Sequence, residues 1–170
     1  MNPIESIEYK QHRINIYYDK DPINPRKEYD NLSIILYKKG TRYKLGDKEA
    51  TPEEMEELYN DHKNISLPVY AYIHSGIAIN TVGYGCPWDS GQSGIAYVPI
   101  EKAKECWPEA SYDELKSNTE KAIKIEVETY SKYLSNECYY YETTKNNELV
   151  DSCSGYYSIE ECIEAAKENV

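Results

Sequence analysis

The sequence contains no phenylalanine, only two methionines and two tryptophans, and 19 tyrosines among its 170 residues. A core without phenylalanine must be built from Ile, Leu, Val and Tyr, and a buried tyrosine hydroxyl needs a hydrogen-bond partner. The tyrosines accompany many Ile, Lys and Asn residues, a bias typical of AT-rich genomes. An exposed tyrosine-rich surface would also suit protein recognition. The composition leaves both interpretations open.

Three further features are absent. No apolar run approaches the ~20 residues that a membrane-spanning helix needs. The first residues, Met1-Asn2-Pro3-Ile4-Glu5, lack the basic and apolar regions of a signal peptide. The cysteines are odd in number, five, and include no C-x-x-C pair, which argues against a disulfide framework and a structural zinc site. We therefore expect a cytoplasmic protein with no cofactor, no metal and five reduced, mostly buried thiols.

Basic residues are too few to balance the acidic ones, and the net charge is −11. Residues 101–170 contribute −8 of this charge, from 16 acidic and 8 basic side chains. Such a surface repels phosphate backbones and anionic membranes, so we expect neither direct nucleic-acid binding nor membrane binding. A protein partner with a basic surface fits the charge, and ordinary solubility is the alternative explanation.

The length predicts a single domain over residues 1–170. Capping boxes that begin at Thr51, Ser111 and Ser158 predict three helix starts. The segments between the helices alternate or are rich in Val, Ile and Tyr, as strands are. The resulting order, roughly ββ-α-βββ-α-ββ-α, predicts an α+β fold in which an antiparallel sheet is covered by about three helices.

The most distinctive segment is Cys86-Pro87-Trp88-Asp89-Ser90-Gly91-Gln92. Trp88 offers a stacking face, and Asp89, Ser90 and Gln92 offer hydrogen bonds, as in a binding loop. A tight structural loop is the alternative. A nucleophile assembled from Cys86, His74 and Asp89 is disfavoured, because a reactive cysteine needs an electropositive setting that this acidic chain does not provide.

A long loop over residues 19–31 carries four oxygen ligands for a hard cation, at Asp19, Asp21, Asn24 and Asp30. Their spacing does not fit an EF-hand, and Arg26 among them favours an ion-pair network. We predict that Arg26 pairs with Asp89 or Asp151 and that Trp88 packs against the pair. Such a cluster is either a structural pin or the border of a site. The candidate ligand- or partner-binding residues are Arg26, Asp30, Trp88, Asp89, Ser90, Gln92 and Asp151.

The longest predicted helix runs from Ser111 to about Leu134. Ile123, Val127 and Tyr130 form a stripe that we expect to be buried on the sheet. The candidate acidic surface lies on the other faces of this helix and consists of Glu114, Glu120, Glu126 and Glu128.

Several segments resemble a family of small uncharacterised proteins common in phage and other mobile-element genomes. The resemblance covers about residues 14–157, and the Trp-Asp-Ser-Gly-Gln block is its most specific part. One departure is Ser154-Gly155-Tyr156-Tyr157, where the family has a Trp. The segments that carry it are Asn24-Pro25-Arg26, Asp30-Asn31-Leu32, Tyr43-Lys44-Leu45-Gly46-Asp47, His74-Ser75-Gly76, Cys86 to Gln92, Glu126 to Tyr130 and Asp151-Ser152-Cys153.

The resemblance implies an accessory protein of a mobile element that acts in the cytoplasm of a bacterial host cell. Small acidic proteins in that setting are often inhibitors of host defence. The first hypothesis is thus a non-catalytic protein whose acidic surface blocks a nucleic-acid-handling defence complex. The alternative is a small-molecule or nucleotide-binding module, or a small enzyme, that uses the Trp88–Gln92 loop.

Overall fold

A computed structural model describes residues 2–85 and 90–170. It confirms the α+β class, with two sheets and five helices in the described residues instead of one sheet and about three helices. The elements are β1 (Glu5–Tyr9), β2 (His12–Tyr18), α1 (Pro25–Glu28), β3 (Ile34–Lys38), β4 (Lys48–Ala50), α2 (Pro52–Asn60), β5 (Asn64–Ile73), β6 (Ile77–Asn80), β7 (Ser90–Pro99), α3 (Ile100–Cys106), α4 (Tyr112–Leu134), β8 (Tyr139–Lys145), β9 (Glu148–Tyr156) and α5 (Ile159–Glu168).

The chain divides into two compact units. Unit 1 combines residues 1–24 with residues 132–170, and unit 2 comprises residues 25–131. The single-domain prediction stays a prediction. No helix among the described residues has the length and apolar character needed to cross a bilayer.

Unit 1 is a four-stranded antiparallel sheet in the order β1-β2-β8-β9, covered by α5. Both of its hairpins turn through two residues with positive φ, Lys10-Gln11 and Asn146-Asn147. Positive φ at both central positions gives the turn the twist of the flanking strands, and asparagine tolerates it well. The core consists of alternate strand residues packed against one face of α5, and its buried members are Ile14, Ile16, Tyr139, Tyr141, Cys162 and Ala166.

Unit 2 is a five-stranded sheet in the order β4-β3-β7-β5-β6, in which only the β3–β4 pair is parallel. The β3 and β7 backbones pack closely at Gly94, where a Cβ atom would lie 1.8 Å from the Leu36 carbonyl oxygen. α2 covers one face of this sheet, with Met55 buried against Leu36 and Ile95. The alternate strand residues Ile35, Ala96 and Val98 face the other side and are also buried.

α4 has a buried stripe along its length, as its sequence predicts. Ile123, Val127 and Tyr130 are buried within it, whereas Ile125 is 64% exposed. The helix is fixed to unit 2 by polar contacts, among them a hydrogen bond from the Ile79 amide to the Ser131 hydroxyl of 2.9 Å. The predicted stripe is therefore buried, and Ser131 adds a polar contact between α4 and β6.

All three predicted helix starts are confirmed. Thr51 and Glu54 form a complete capping box at the start of α2. Ser111 accepts the Glu114 amide at α4, and Ser158 accepts the Glu161 amide at α5. The short strand β4 and helix α1 lie in segments that the sequence predicts to be loops.

The prediction of mostly buried thiols is wrong for half of the described cysteines. Cys138 and Cys162 are buried, but Cys106 and Cys153 are exposed, and all four are free. Cys106 ends α3 and Cys153 lies on the edge strand β9, and both positions are exposed. Cys86 lies outside the described residues.

Candidate functional site

Arg26 is the centre of a buried polar network in unit 2, and its side chain is only 4% exposed. Its Nε and Nη2 atoms bind the two oxygens of Asp47 at 2.9 and 2.5 Å. Nη1 donates to Asn31 Oδ1 at 2.9 Å and to Glu126 at 3.2 Å, and Nη2 also donates to the Ser33 carbonyl at 2.7 Å. These bonds use all five guanidinium N–H groups.

Glu126 is the second centre of this network, and its assignment to the acidic surface of α4 is wrong. Its side chain is 17% exposed. Its Oε1 accepts the Leu32 amide at 2.6 Å, and its Oε2 accepts the Ser33 amide at 3.0 Å and also the Ser33 hydroxyl. The carboxylate thus caps the start of β3 while it neutralises Arg26.

The network is supported by the tight turn before Asp47. The Asp47 carboxylate accepts the Ile35 amide at 2.8 Å, and the Asp47 amide donates to the Ile35 carbonyl at 2.8 Å. A Cβ atom on Gly46 would lie 2.6 Å from that carbonyl, so only glycine allows this approach. Burial on its own would lower the pKa of the Arg26 guanidinium, but Asp47 and Glu126 together raise the pKa.

The carboxylates that contact Arg26 among the described residues are Asp47 and Glu126, and the predicted pairing with Asp89 stays a prediction. Asp89, like Trp88, lies outside the described residues. Asp151 belongs to unit 1, where its carboxylate accepts the buried Tyr141 hydroxyl at 2.6 Å. Asp30 is exposed beside the network. All five guanidinium donors are used within unit 2, which favours the structural-pin interpretation of Arg26.

Ser90 and Gln92 lie at the start of β7, opposite Tyr72 and Tyr70 of β5. Gln92 is exposed and donates from Nε2 to the Gly94 carbonyl at 3.3 Å. It lines a cleft of about 500 Å³ between α2 and the sheet. We call this the aromatic cleft; its lining is Lys38, Pro52, Met55, Glu56, Tyr59, Asn60, Pro68, Tyr70, Gln92 and Ile95.

The other side of α2 carries a second depression, which we call the acidic groove. It consists of two hollows, of about 250 and 720 Å³, that share Leu58 and Tyr97. Its floor is apolar and comprises Leu36, Ala50, Leu58, Tyr97, Pro99 and Ile100. Its rim has five acidic side chains, Glu49, Glu54, Glu57, Asp61 and Glu101, against Lys48 and Lys63, with His62 and Asn64 completing the lining.

The rim acids differ in how far they are already neutralised. Glu101 pairs with Lys104 at 3.1 Å, and Asp61 lies 3.7 Å from His62. Glu54 is used in the capping box of α2. Glu49 and Glu57 are exposed and form no ion pair with any described residue. These two carboxylates are therefore the acidic rim side chains that are available to a partner's cations.

The remaining residues of the predicted acidic surface lie apart from this groove. Glu114 is exposed and caps α4 through Ser111, whose hydroxyl and amide hydrogen bonds lower the pKa of Glu114. Glu120 is half-buried and Glu128 is exposed. α4 as a whole carries five acidic and four basic side chains, so it is nearly neutral. α2, by contrast, carries four glutamates and no basic residue.

The described residues contain no group of three His, Cys, Asp or Glu side chains that could hold a metal. His74 is exposed in the turn between β5 and β6, and its proposed partners Cys86 and Asp89 lie outside the described residues. The disfavoured nucleophile therefore stays untested.

Sequence reasoning missed Asp47, Glu126 and the role of α2. The Gly46-Asp47 turn was a usable signal for the first, because a glycine before a carboxylate is typical of a tight polar turn. The run of glutamates without lysine in α2 was a usable signal for the groove.

No protein-family model matches the chain, and neither a curated protein nor a solved structure is significantly similar to it.

Proposed function

We propose that the protein is a non-catalytic binding protein whose acidic groove receives a basic, amphipathic segment of a protein partner. The observation that carries the proposal is the combination of an apolar floor with an excess of carboxylates on the rim. Apolar side chains of the partner would cover the floor, and its Lys or Arg side chains would meet Glu49 and Glu57. Charge complementarity of this kind steers association and selects partners.

In the first hypothesis the acidic surface lies on α4. The present proposal moves it to the acidic groove beside α2, and the expected partner is still a protein with a basic surface. Basic surfaces on proteins commonly serve to bind phosphate backbones. A protein that occupies such a surface excludes nucleic acid from it. The further step, that the partner is a defence complex of a bacterial host, depends on the family resemblance alone.

Capture from a bacterial lysate tests the proposal when two charge variants are compared. The variant E49K/E57K reverses the charges of Glu49 and Glu57 on the groove rim. The variant E161K/E164K makes the same change in net charge at exposed positions of α5. We expect wild type and the α5 variant to retain the same basic, nucleic-acid-binding proteins and the groove variant to lose them.

Two additions to the wash make the capture specific. Raising the salt to about 0.5 M should release the partner, since screening weakens interactions between exposed charges. Added DNA or RNA should compete for the partner. Equal retention by the two variants, or retention that ignores both salt and nucleic acid, would refute the proposal.

A second candidate function is small-molecule binding in the aromatic cleft. The observation that favours it is the position of Gln92, at the start of β7, in the lining of a concave site. The cleft volume lies within the range of about 300–1,000 Å³ that is typical of small-molecule sites.

A further inference from the structure

The aromatic cleft is lined by one cation and one anion that have no partner among the described residues. The half-buried Lys38 ammonium makes no hydrogen bond or ion pair with the residues that the structure describes. The same is true of the Glu56 carboxylate on α2. Both side chains line the same cavity, yet they do not pair with each other. The cleft therefore presents two opposite charges to whatever enters it.

The rest of the lining is apolar or amphipathic. Met55 and Ile95 are buried and belong to the core cluster beneath the cleft. Tyr59 and Tyr70 contribute aromatic rings. Gln92 places an amide at the rim, with one of its donors engaged by the Gly94 carbonyl. Rings and a thioether over a buried floor suit an apolar or aromatic group.

We propose that the aromatic cleft binds a small zwitterion with an apolar or aromatic side chain, of the α-amino-acid class. The carboxylate of the ligand would pair with Lys38 and its ammonium with Glu56. The side chain of the ligand would pack between the tyrosine rings. The inference rests on the second candidate function and is independent of the acidic groove.

Other ligand classes match this lining less well. A nucleotide would bring at least one phosphate close to Glu56 and would meet a single cation, Lys38. A purely cationic group would be repelled by Lys38. A neutral apolar molecule would cover both charges without pairing them, which costs free energy because buried charges need partners. A zwitterion satisfies both charges and leaves the net charge of the site unchanged.

The test is a titration with three related probes, followed by calorimetry or by ligand-observed NMR. L-Phenylalanine carries both charges, 3-phenylpropionate only the carboxylate and 2-phenylethylamine only the ammonium. We expect L-phenylalanine to bind and each single-charge probe to bind at least roughly tenfold more weakly, a difference of ~1.4 kcal/mol. If all three probes bind equally, the cleft is a small-molecule site but the zwitterion assignment is wrong.

Matched variants locate the binding. K38M and E56Q should each weaken L-phenylalanine binding about tenfold or more. The controls are K39M, at the next residue of the chain, and E53Q, on the first turn of α2, because neither residue lines the cleft. Binding that the controls weaken as much as the cleft variants would contradict the assignment. If no probe binds at about 10 mM, the cleft is not a site of this class and the zwitterion assignment is wrong.

Discussion

At the scale of single residues, Arg26 and Glu126 show why charge on a helix face does not by itself indicate exposure. Glu126 occupies a position between the buried residues Ile123 and Val127, and the sequence gives it the same polar status as Glu128. Its burial depends on a segment almost a hundred residues earlier in the chain. In that segment, Arg26 and the amides of Leu32 and Ser33 donate hydrogen bonds to its two oxygens. Such a long-range partner leaves no local signal in the helix.

We expect E126Q to lower the free energy of unfolding by about 1–3 kcal/mol, because it leaves Arg26 and the amides of Leu32 and Ser33 with a weaker acceptor. R26A should cost more, about 3–5 kcal/mol, since it removes one partner from a buried ion-pair network. Urea denaturation followed by circular dichroism measures both. E120Q, at a half-buried position of the same helix outside the Arg26–Glu126 network, is the control. A cost for E120Q equal to that of E126Q would show that the network does not account for the effect.

The individual cysteines are expected to differ in their reactivity toward alkylating reagents. Burial, followed by the charges of Asp19 and Glu137, raises the pKa of Cys138 to about 11. Burial, followed by the nearby Cys153, raises the pKa of Cys162 to about 12. Because the thiolate is the reactive form, both thiols should stay protonated and inert at pH 8.

Alkylation at pH 8 with peptide mass spectrometry measures this difference. Cys106 and Cys153 should be modified in the native protein, and Cys138 and Cys162 only in denaturant. Because pH 9 still lies well below the pKa of Cys138, about 11, and of Cys162, about 12, the thiolate stays a minor form and both thiols should remain mostly unlabelled at pH 9. Rapid native labelling of Cys138 would show that unit 1 opens around it.

At the scale of elements, much of the fold follows from local sequence. The three capping boxes fix the starts of α2, α4 and α5, and the Asn146-Asn147 pair fixes the turn of the β8–β9 hairpin. The Lys10-Gln11 turn could not be predicted in this way, because neither residue favours positive φ. β4 was missed because three residues paired at a sheet edge carry too little periodicity to be recognised.

The buried stripe of α4 predicts how strongly substitutions on its two faces destabilise the fold. V127A should cost about 1–3 kcal/mol, since a buried branched side chain is lost and a cavity is left. I125A, two residues away on the exposed face, should cost less than about 0.5 kcal/mol. Denaturation of both variants with the same denaturant measures the difference. A larger cost for I125A than for V127A would mean that the faces of α4 are assigned the wrong way round.

At the scale of the whole molecule, net charge predicted an acidic surface but not its position. The C-terminal segment has the larger net charge in the sequence. In the structure, however, α4 is nearly neutral, whereas α2 presents glutamates beside an apolar groove. The groove is formed by residues from β3, β4, α2, β7 and α3, so its apolar floor could not be read from any one segment.

The structure also gives a physical reason for several of the segments that resemble the phage and mobile-element family. Residues of four of them, Arg26, Asn31, Asp47 and Glu126, meet in one hydrogen-bonded network. The polar character of those segments is thus explained by folding of unit 2. The segment from Cys86 to Asp89 lies outside the described residues, so the binding-loop and structural-loop interpretations both stay open.

The most direct test of the acidic groove is amide hydrogen exchange of the protein, free and in complex with the partner that wild type captures. We predict slower exchange on binding in β4, in the second half of α2 and at the start of α3, where the groove runs, with α5 and β9 unchanged. Protection confined to α5, β9 or α4, with α2 exchanging as in the free protein, would contradict the account.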